Sequence, residues 1–218
     1  MLKASAANRQ FWLLWVWASA LAGPLFVPST LTAQESVTAV DFLSAEEEQA
    51  LALSAAPEHL KGGATAYVLG PEGFSVSQEG TNGYSCVVNR DHPRNRKPTC
   101  YDSEGTRTIL PKVLFMGEMM ALGASMSAIS DSVSAGFADG RWGAPQRSGV
   151  AFMLSDGIRR YNSSTGEYSS FPPHVMFYAP DVSNADLGTD WDAVSEHDWM
   201  PFIAYQGPHG MLVVKVEP

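Results

Sequence analysis

Three histidines and one basic run carry most of the scope for chemistry in this chain. His92, His174 and His209 lie at or beside strand ends and proline turns. Three imidazoles from separate segments suit zinc, with a fourth position left for water. His174 and His209 with Asp186 therefore form the candidate metal set, and a divalent metal is the candidate cofactor. No H-E-x-x-H or H-x-H pairing supports it, and hydrogen-bonded turn histidines are the competing reading. Arg90, His92, Arg94, Arg96 and Lys97 crowd into one short segment, which thus holds four of the fourteen Lys and Arg. Guanidinium forks suit carboxylate or phosphate, so this run is the candidate ligand-binding set. A solvated loop is the alternative.

Two further patterns stay incomplete. Leu154-Ser155-Asp156-Gly157 has half of a nucleophile elbow, but Met153 stands where the frame needs glycine. Asp181, Asn184, Asp186, Asp190, Asp192, Glu196 and Asp198 offer oxygens of the kind calcium takes, yet the EF-hand frame fits at no register. A polar solubilising loop is the competing reading there. No glycine-rich nucleotide loop or CxxC pair is present, and no catalytic residue is assigned.

The elements that must position these groups are legible in part. Cys86 and Cys100, the only cysteines, bracket the basic run. In an oxidising compartment they pair, closing a fifteen-residue loop worth about 3 kcal/mol in the chain-entropy model. Asn82-Gly83 is a hairpin signal. It predicts that strands near 64–69, 73–79 and 84–89 form a meander, with Tyr84, Cys86 and Val88 on one face. Ser44 to Glu47 reads as a capping box for a short surface helix that Pro57 stops. Leu110 to Gly140 turns to helical periodicity, with Gly123 and Ser125 dividing it into a helical hairpin. That hairpin is expected on the sheet, with a Met-rich surface as its functional alternative. Strands follow near 149–155, 174–179, 202–205 and 211–216, and a short hairpin spans 158–168. Its Asn162-Ser-Ser is also an N-glycosylation sequon.

The fold class expected is α+β, a mainly antiparallel β-sheet with a helical hairpin packed on one face. Residues 1–33 read as a signal peptide: Lys3 and Arg9, then an apolar core from Phe11 to Ala22, then Gly23-Pro24. Cleavage after Ala33 fits best, with Ala22 and Ala39 as alternatives, and an uncleaved anchor is the competing reading. Residues 34–63 are a lead-in with one helix, and 64–218 a single α+β domain. No membrane span is expected after cleavage, and the location expected is periplasmic or secreted. The formal charge is −9. Without residues 1–33, 12 cationic side chains face 23 acidic ones, a charge of −11. That argues against nucleic-acid partners.

Four segments, 81–93, 97–102, 108–113 and 171–180 (F-P-P-H-V-M-F-Y-A-P), resemble exported bacterial proteins with no assigned activity. The resemblance implies bacterial export and a shared fold, and transfers no catalytic residue. The function expected is an exported binding or structural domain of the cell envelope, with a small anionic or apolar ligand or an envelope partner. The alternative is an exported, metal-assisted hydrolase using His174, His209 and an acid such as Asp186 or Asp156.

Overall fold

The computed structural model describes residues 39–216. The expected export segment and the cleavage points after Ala22 and Ala33 lie outside them. Among the described residues no helix is long and apolar enough to cross a membrane.

The architecture is α+β, with an eight-stranded, mostly antiparallel mixed sheet. Its strands are β1 (Thr65–Gly70), β2 (Gly73–Gln78), β3 (Ser85–Asn89), β4 (Lys97–Tyr101), β5 (Val150–Met153), β8 (His174–Tyr178), β9 (Phe202–Tyr205) and β10 (Met211–Lys215). Their order is β2-β1-β3-β4-β5-β8-β10-β9. A separate two-residue pair, β6 (Arg160–Tyr161) with β7 (Tyr168–Ser169), is the short hairpin expected around Asn162.

The expected meander is not formed. β1 lies between β2 and β3 and runs parallel to β3. The Asn82-Gly83 turn exists, but only Gly83 takes a positive φ, of +79°, so a two-residue type I′ hairpin is excluded. The chain leaving β2 instead crosses the start of β1, where Thr81 and Asn82 both donate backbone N–H groups to the Gly63 carbonyl. A Cβ on Gly80 would stand 2.2 Å from the Thr65 nitrogen, so the crossing needs glycine there. The turn signal was real; its reach across β1 was not encoded in the dipeptide.

Period-two alternation divides the sheet into two faces. Cys86, Val88 and Cys100 pack with Ala52, Ala55 and Ala56 from in and beyond α1 (Ala45–Leu53), with Tyr84 alongside, and the one-turn α2 (Glu58–Lys61) follows. The Ser44–Glu47 capping box forms as read. The helix is not a surface lead-in, however, because it lies against β1, β3 and β4. Its low leucine content misled: alanines let the helix sit close to the sheet. Cys86 and Cys100 stand directly opposite each other on β3 and β4, bonded, with Cα atoms 4.0 Å apart.

On the other face Val87 and Tyr101 meet Ile109, Leu110 and Val113 at the start of α4 (Leu110–Ala121). Before it, α3 (Ser103–Thr108) is capped by Asp102, which accepts from the Glu104 and Gly105 N–H groups. Asp102 Oδ2 also accepts from Val150 N, and Tyr178 donates its hydroxyl to Oδ1, so one carboxylate ties α3 to β5 and β8. α4 ends at Gly123, φ +78°, with Gly123 N–H to Met120 O and Ala124 N–H to Met119 O, the paired bonds of a Schellman cap. α5 (Met126–Ala138) is capped by Ser125 and leans on α4, with Ile129 beside Met120 and Leu69.

Arg90 ends the α1 face. It forms a bidentate pair with Glu48 of α1, Nη1 to Oε1 at 2.6 Å and Nη2 to Oε2 at 2.7 Å, with both side chains buried. Glu48→Gln leaves an uncompensated guanidinium inside the protein. Denaturant unfolding should show a loss of about 3–5 kcal/mol; a loss below about 1 kcal/mol would mean the pair does not hold α1 in place.

Candidate functional site

The basic run does not act as a unit, because each cation finds its own partner. Arg90 is spent on Glu48, as above. Arg96 pairs with Asp41 and exchanges backbone hydrogen bonds with Arg159. Arg94 lies over the Tyr161 ring, 4.8 Å from its centroid. His92 stacks on the same ring at 5.2 Å, and its Nδ1 accepts from the Arg94 N–H. Lys97 lines the first of the cavities described below. Arg90, His92, Arg94, Arg96 and Lys97 therefore form no single anion-receiving fork. The loop between β3 and β4 is short, so neighbouring basic residues diverge to different surfaces.

The metal set does not assemble either. His174 lines one cavity and His209 another, while Asp186 sits in a surface turn, accepting from the Ser183 N–H and hydroxyl. Among the described residues no group of three His, Cys, Asp or Glu could hold a metal. His174 Nδ1 bonds the Pro172 carbonyl at 2.8 Å and His209 Nε2 the Gly143 carbonyl at 3.0 Å. Ser155 is buried, with its hydroxyl between Ser54 Oγ and the Gly157 N–H. It ties a turn. The acidic loop carries a 3-10 turn at Ala185–Leu187 and α6 (Trp191–Glu196), and Asp190 caps the latter by accepting from the Ala193 N–H.

What the structure does build is a pair of cavities on one face of the sheet. The first is about 390 Å³. Its floor is the inward row Met153, Met176, Val213 and Phe202 of β5, β8, β10 and β9, and α6 adds Trp191 and Val194. Trp191 and Phe202 lie 5.4 Å apart, and Phe171 stands edge-on to His174 at 4.9 Å. Polar groups are few: Lys97, Arg160, Lys215, His174, Ser195 and one carboxylate, Asp91. Lys215 reaches the fully exposed Asp198 at 3.3 Å, a tie of little strength in water. Arg160 has no carboxylate partner among the described residues.

The second cavity, about 290 Å³, lies between α4, α5 and the sheet. Lys112, Val113 and Met116 of α4 face Ile129 and Val133 of α5, with His209 and Met211 behind. Asp91 and Tyr205 line both cavities. Lys97 Nζ binds Asp91 Oδ2 at 2.5 Å and the Tyr205 hydroxyl at 3.3 Å, so this triad forms the partition. Burial alone would push the Asp91 carboxyl up, but Lys97 and Asn95 outweigh it and hold it below the usual range. Burial would lower Lys97, and Tyr205 with Asp91 reverse that. Lys112 has no such partner, and burial brings its ammonium down to about 8. His209 falls to about 4, through burial first and the Lys112 charge second.

Sequence reasoning missed Arg160, Lys215, Trp191, Tyr205 and Lys112. The segments holding Arg160, Lys215, Tyr205 and Lys112 were read, but not which residues share a face, and α6 with Trp191 was not read at all; the His174/Met176 and Met211/Val213/Lys215 alternations carried part of that signal. Comparison with family models, curated proteins and solved structures gives no match.

His209 titrates near 6.5 in an unfolded chain and near 4 in the fold. The unfolded chain therefore binds more protons between those values, and stability falls as pH drops through that window. His209→Gln keeps a donor for Gly143 and removes the titration. Melting curves from pH 7 to 4 should be flatter for the variant; superimposable acid limbs would contradict the buried neutral imidazole.

Proposed function

We propose that this chain is an exported ligand-binding domain of the cell envelope that holds a small amphipathic anion in the first cavity. One observation carries the reading: an apolar chamber of about 390 Å³ faced by three cationic side chains and a single carboxylate that one of them already neutralises. A ring or branched hydrocarbon body fits against Met153, Met176, Phe202 and Trp191, burying apolar surface at roughly 25 cal/mol per Å². A carboxylate or similar anion then meets Arg160, whose fork suits it bidentately, with Lys215 released from Asp198. Lys97 stays with Asp91 and supplies the wall.

Export is supported by the positive-then-apolar segment at 3–22 and by the bonded Cys86–Cys100 pair, which fits an oxidising compartment. A hydrolytic reading has no comparable support, because His174, His209, Asp156 and Ser155 share no hydrogen bond or ion pair with one another.

Calorimetric titration with 3-phenylpropionate and with its neutral amide tests the proposal. The carboxylate should bind at least about tenfold more tightly. Arg160→Ala with Lys215→Ala should erase that difference, and Val213→Trp, which fills the chamber, should remove both affinities. Equal binding of acid and amide, or binding untouched by Val213→Trp, would overturn it.

A further inference from the structure

Four lysines fall among the described residues. Lys61 pairs with Glu58, Lys97 with Asp91 and Lys215 with Asp198. Lys112 alone has no carboxylate; its ammonium lies over the Phe137 ring, 5.7 Å from the centroid. It is half-buried on α4 and lines the second cavity, whose remaining wall is largely apolar: Ile109, Val113, Met116, Ile129 and Met211. The Phe137 contact is a weak cation–π attraction at the edge of its range, and the aliphatic walls offer the ammonium no ion pair. Desolvation therefore falls on the charged form, and the neutral amine that escapes it is a nucleophile.

A second observation concerns the same chamber. His209 is 5 % exposed, donates from Nε2 to the Gly143 carbonyl, and leaves Nδ1 buried without a partner. Phe137 packs edge-on to this imidazole at 4.9 Å and also faces Lys112. The pocket thus holds an unpaired amine and an uncharged imidazole around one ring, with no acid bonded to either.

We infer that Lys112 is a reactive amine that condenses with a small apolar aldehyde held in the second cavity. The Lys112 Nζ lone pair attacks the carbonyl carbon, the C=O π pair moves to oxygen, and one of the two N–H protons passes from nitrogen to that oxygen to give a neutral carbinolamine. Loss of that hydroxyl as water, with loss of the remaining N–H proton, forms the C=N bond. Amine and aldehyde become imine and water, so no oxidant or reductant is needed. The inference does not rest on carboxylate binding in the first cavity. Burial places the Lys112 transition near pH 8. The other titratable groups facing the chamber are Asp91, held ionised by Lys97, Tyr101, whose hydroxyl burial pushes up, His209, neutral above about 4, and Tyr205, which bonds Lys97.

The experiment treats the full chain with limiting benzaldehyde and cyanoborohydride, then maps the alkylated site by peptide mass. Labelling should concentrate on Lys112, with a rate that rises with pH and reaches half its maximum near 8. Mapping separates it from the terminal amine, which titrates in the same range. Lys112→Met and Lys112→Arg should both lose the fast label, the second while keeping a cation. Val133→Trp, which fills the chamber and leaves the amine, should slow it at least about tenfold. Equal labelling of Lys61, Lys97, Lys112 and Lys215, or a Val133→Trp rate matching that of the unaltered chain, would overturn the inference.

Discussion

The Asp91–Lys97–Tyr205 contact sets the shape of the functional face. β4 and β9 are separated in the sheet by β5, β8 and β10. In a flat sheet four strand spacings amount to roughly 19 Å, too far for one lysine and one tyrosine to meet. They meet at 3.3 Å, so the sheet curls over its own face. A curled face cannot be filled by one straight helix. α4 lies against β1, β2 and β3 with α5 beside it, α6 borders the β9 part, and the space left over becomes the two cavities. The partition between the cavities is the same contact that records the curl.

The opposite face shows what a filled surface looks like. There the alanines of α1 sit directly on the Cys86, Val88 and Cys100 row, and the Glu48–Arg90 pair closes the edge. A buried ion pair of this kind adds little net stability over apolar side chains, but it penalises any register that separates its partners. One face is therefore fixed and dense while the other keeps room. The net charge of −9 does not forbid an anion on the roomy side. Screening at physiological salt confines surface charge to about 8 Å, so a ligand in the first cavity responds to Arg160, Lys215 and Asp91 rather than to the acidic exterior.

Much of the scaffold was legible because local physics decides it. The Ser44–Glu47 capping box, the Gly123 cap, the Ser125 cap and the face shared by Cys86 and Val88 all follow from short-range geometry. Errors arose where a local signal has a non-local outcome. Asn82-Gly83 marks a turn, yet strand order depends on Gly80 clearing the Thr65 backbone. β4 was not among the strands read from sequence; it tolerates Pro98 because pairing with β5 reaches only Cys100 and Tyr101. The candidate site was hardest to read. Charge clustering drew attention to 90–97, whereas Lys112 and Lys215 stand alone in the sequence, Arg160 has only Arg159 beside it, and all three gain their meaning from the curl. The acidic stretch from Asp181 hid α6, because one of its acids, Asp190, is the helix cap and its tryptophan is the part that meets the cavity.

Lys97 and Lys112 show how one carboxylate divides the chemistry of neighbouring chambers. Both are largely withdrawn from water, and desolvation acts on each in the same direction. Asp91 lies 2.5 Å from Lys97, close enough for Coulomb attraction at low dielectric to exceed that cost, so Lys97 remains a cation. Lys112 faces the same partition from the other side without an ion pair, and the desolvation cost stands uncompensated. In the ligand-binding proposal Asp91 therefore already neutralises Lys97, and the anion in the first chamber is left to Arg160 and Lys215. The second has an amine whose charge is optional, which suits a ligand that carries none. The asymmetry follows from which side of Tyr205 the single shared carboxylate bonds.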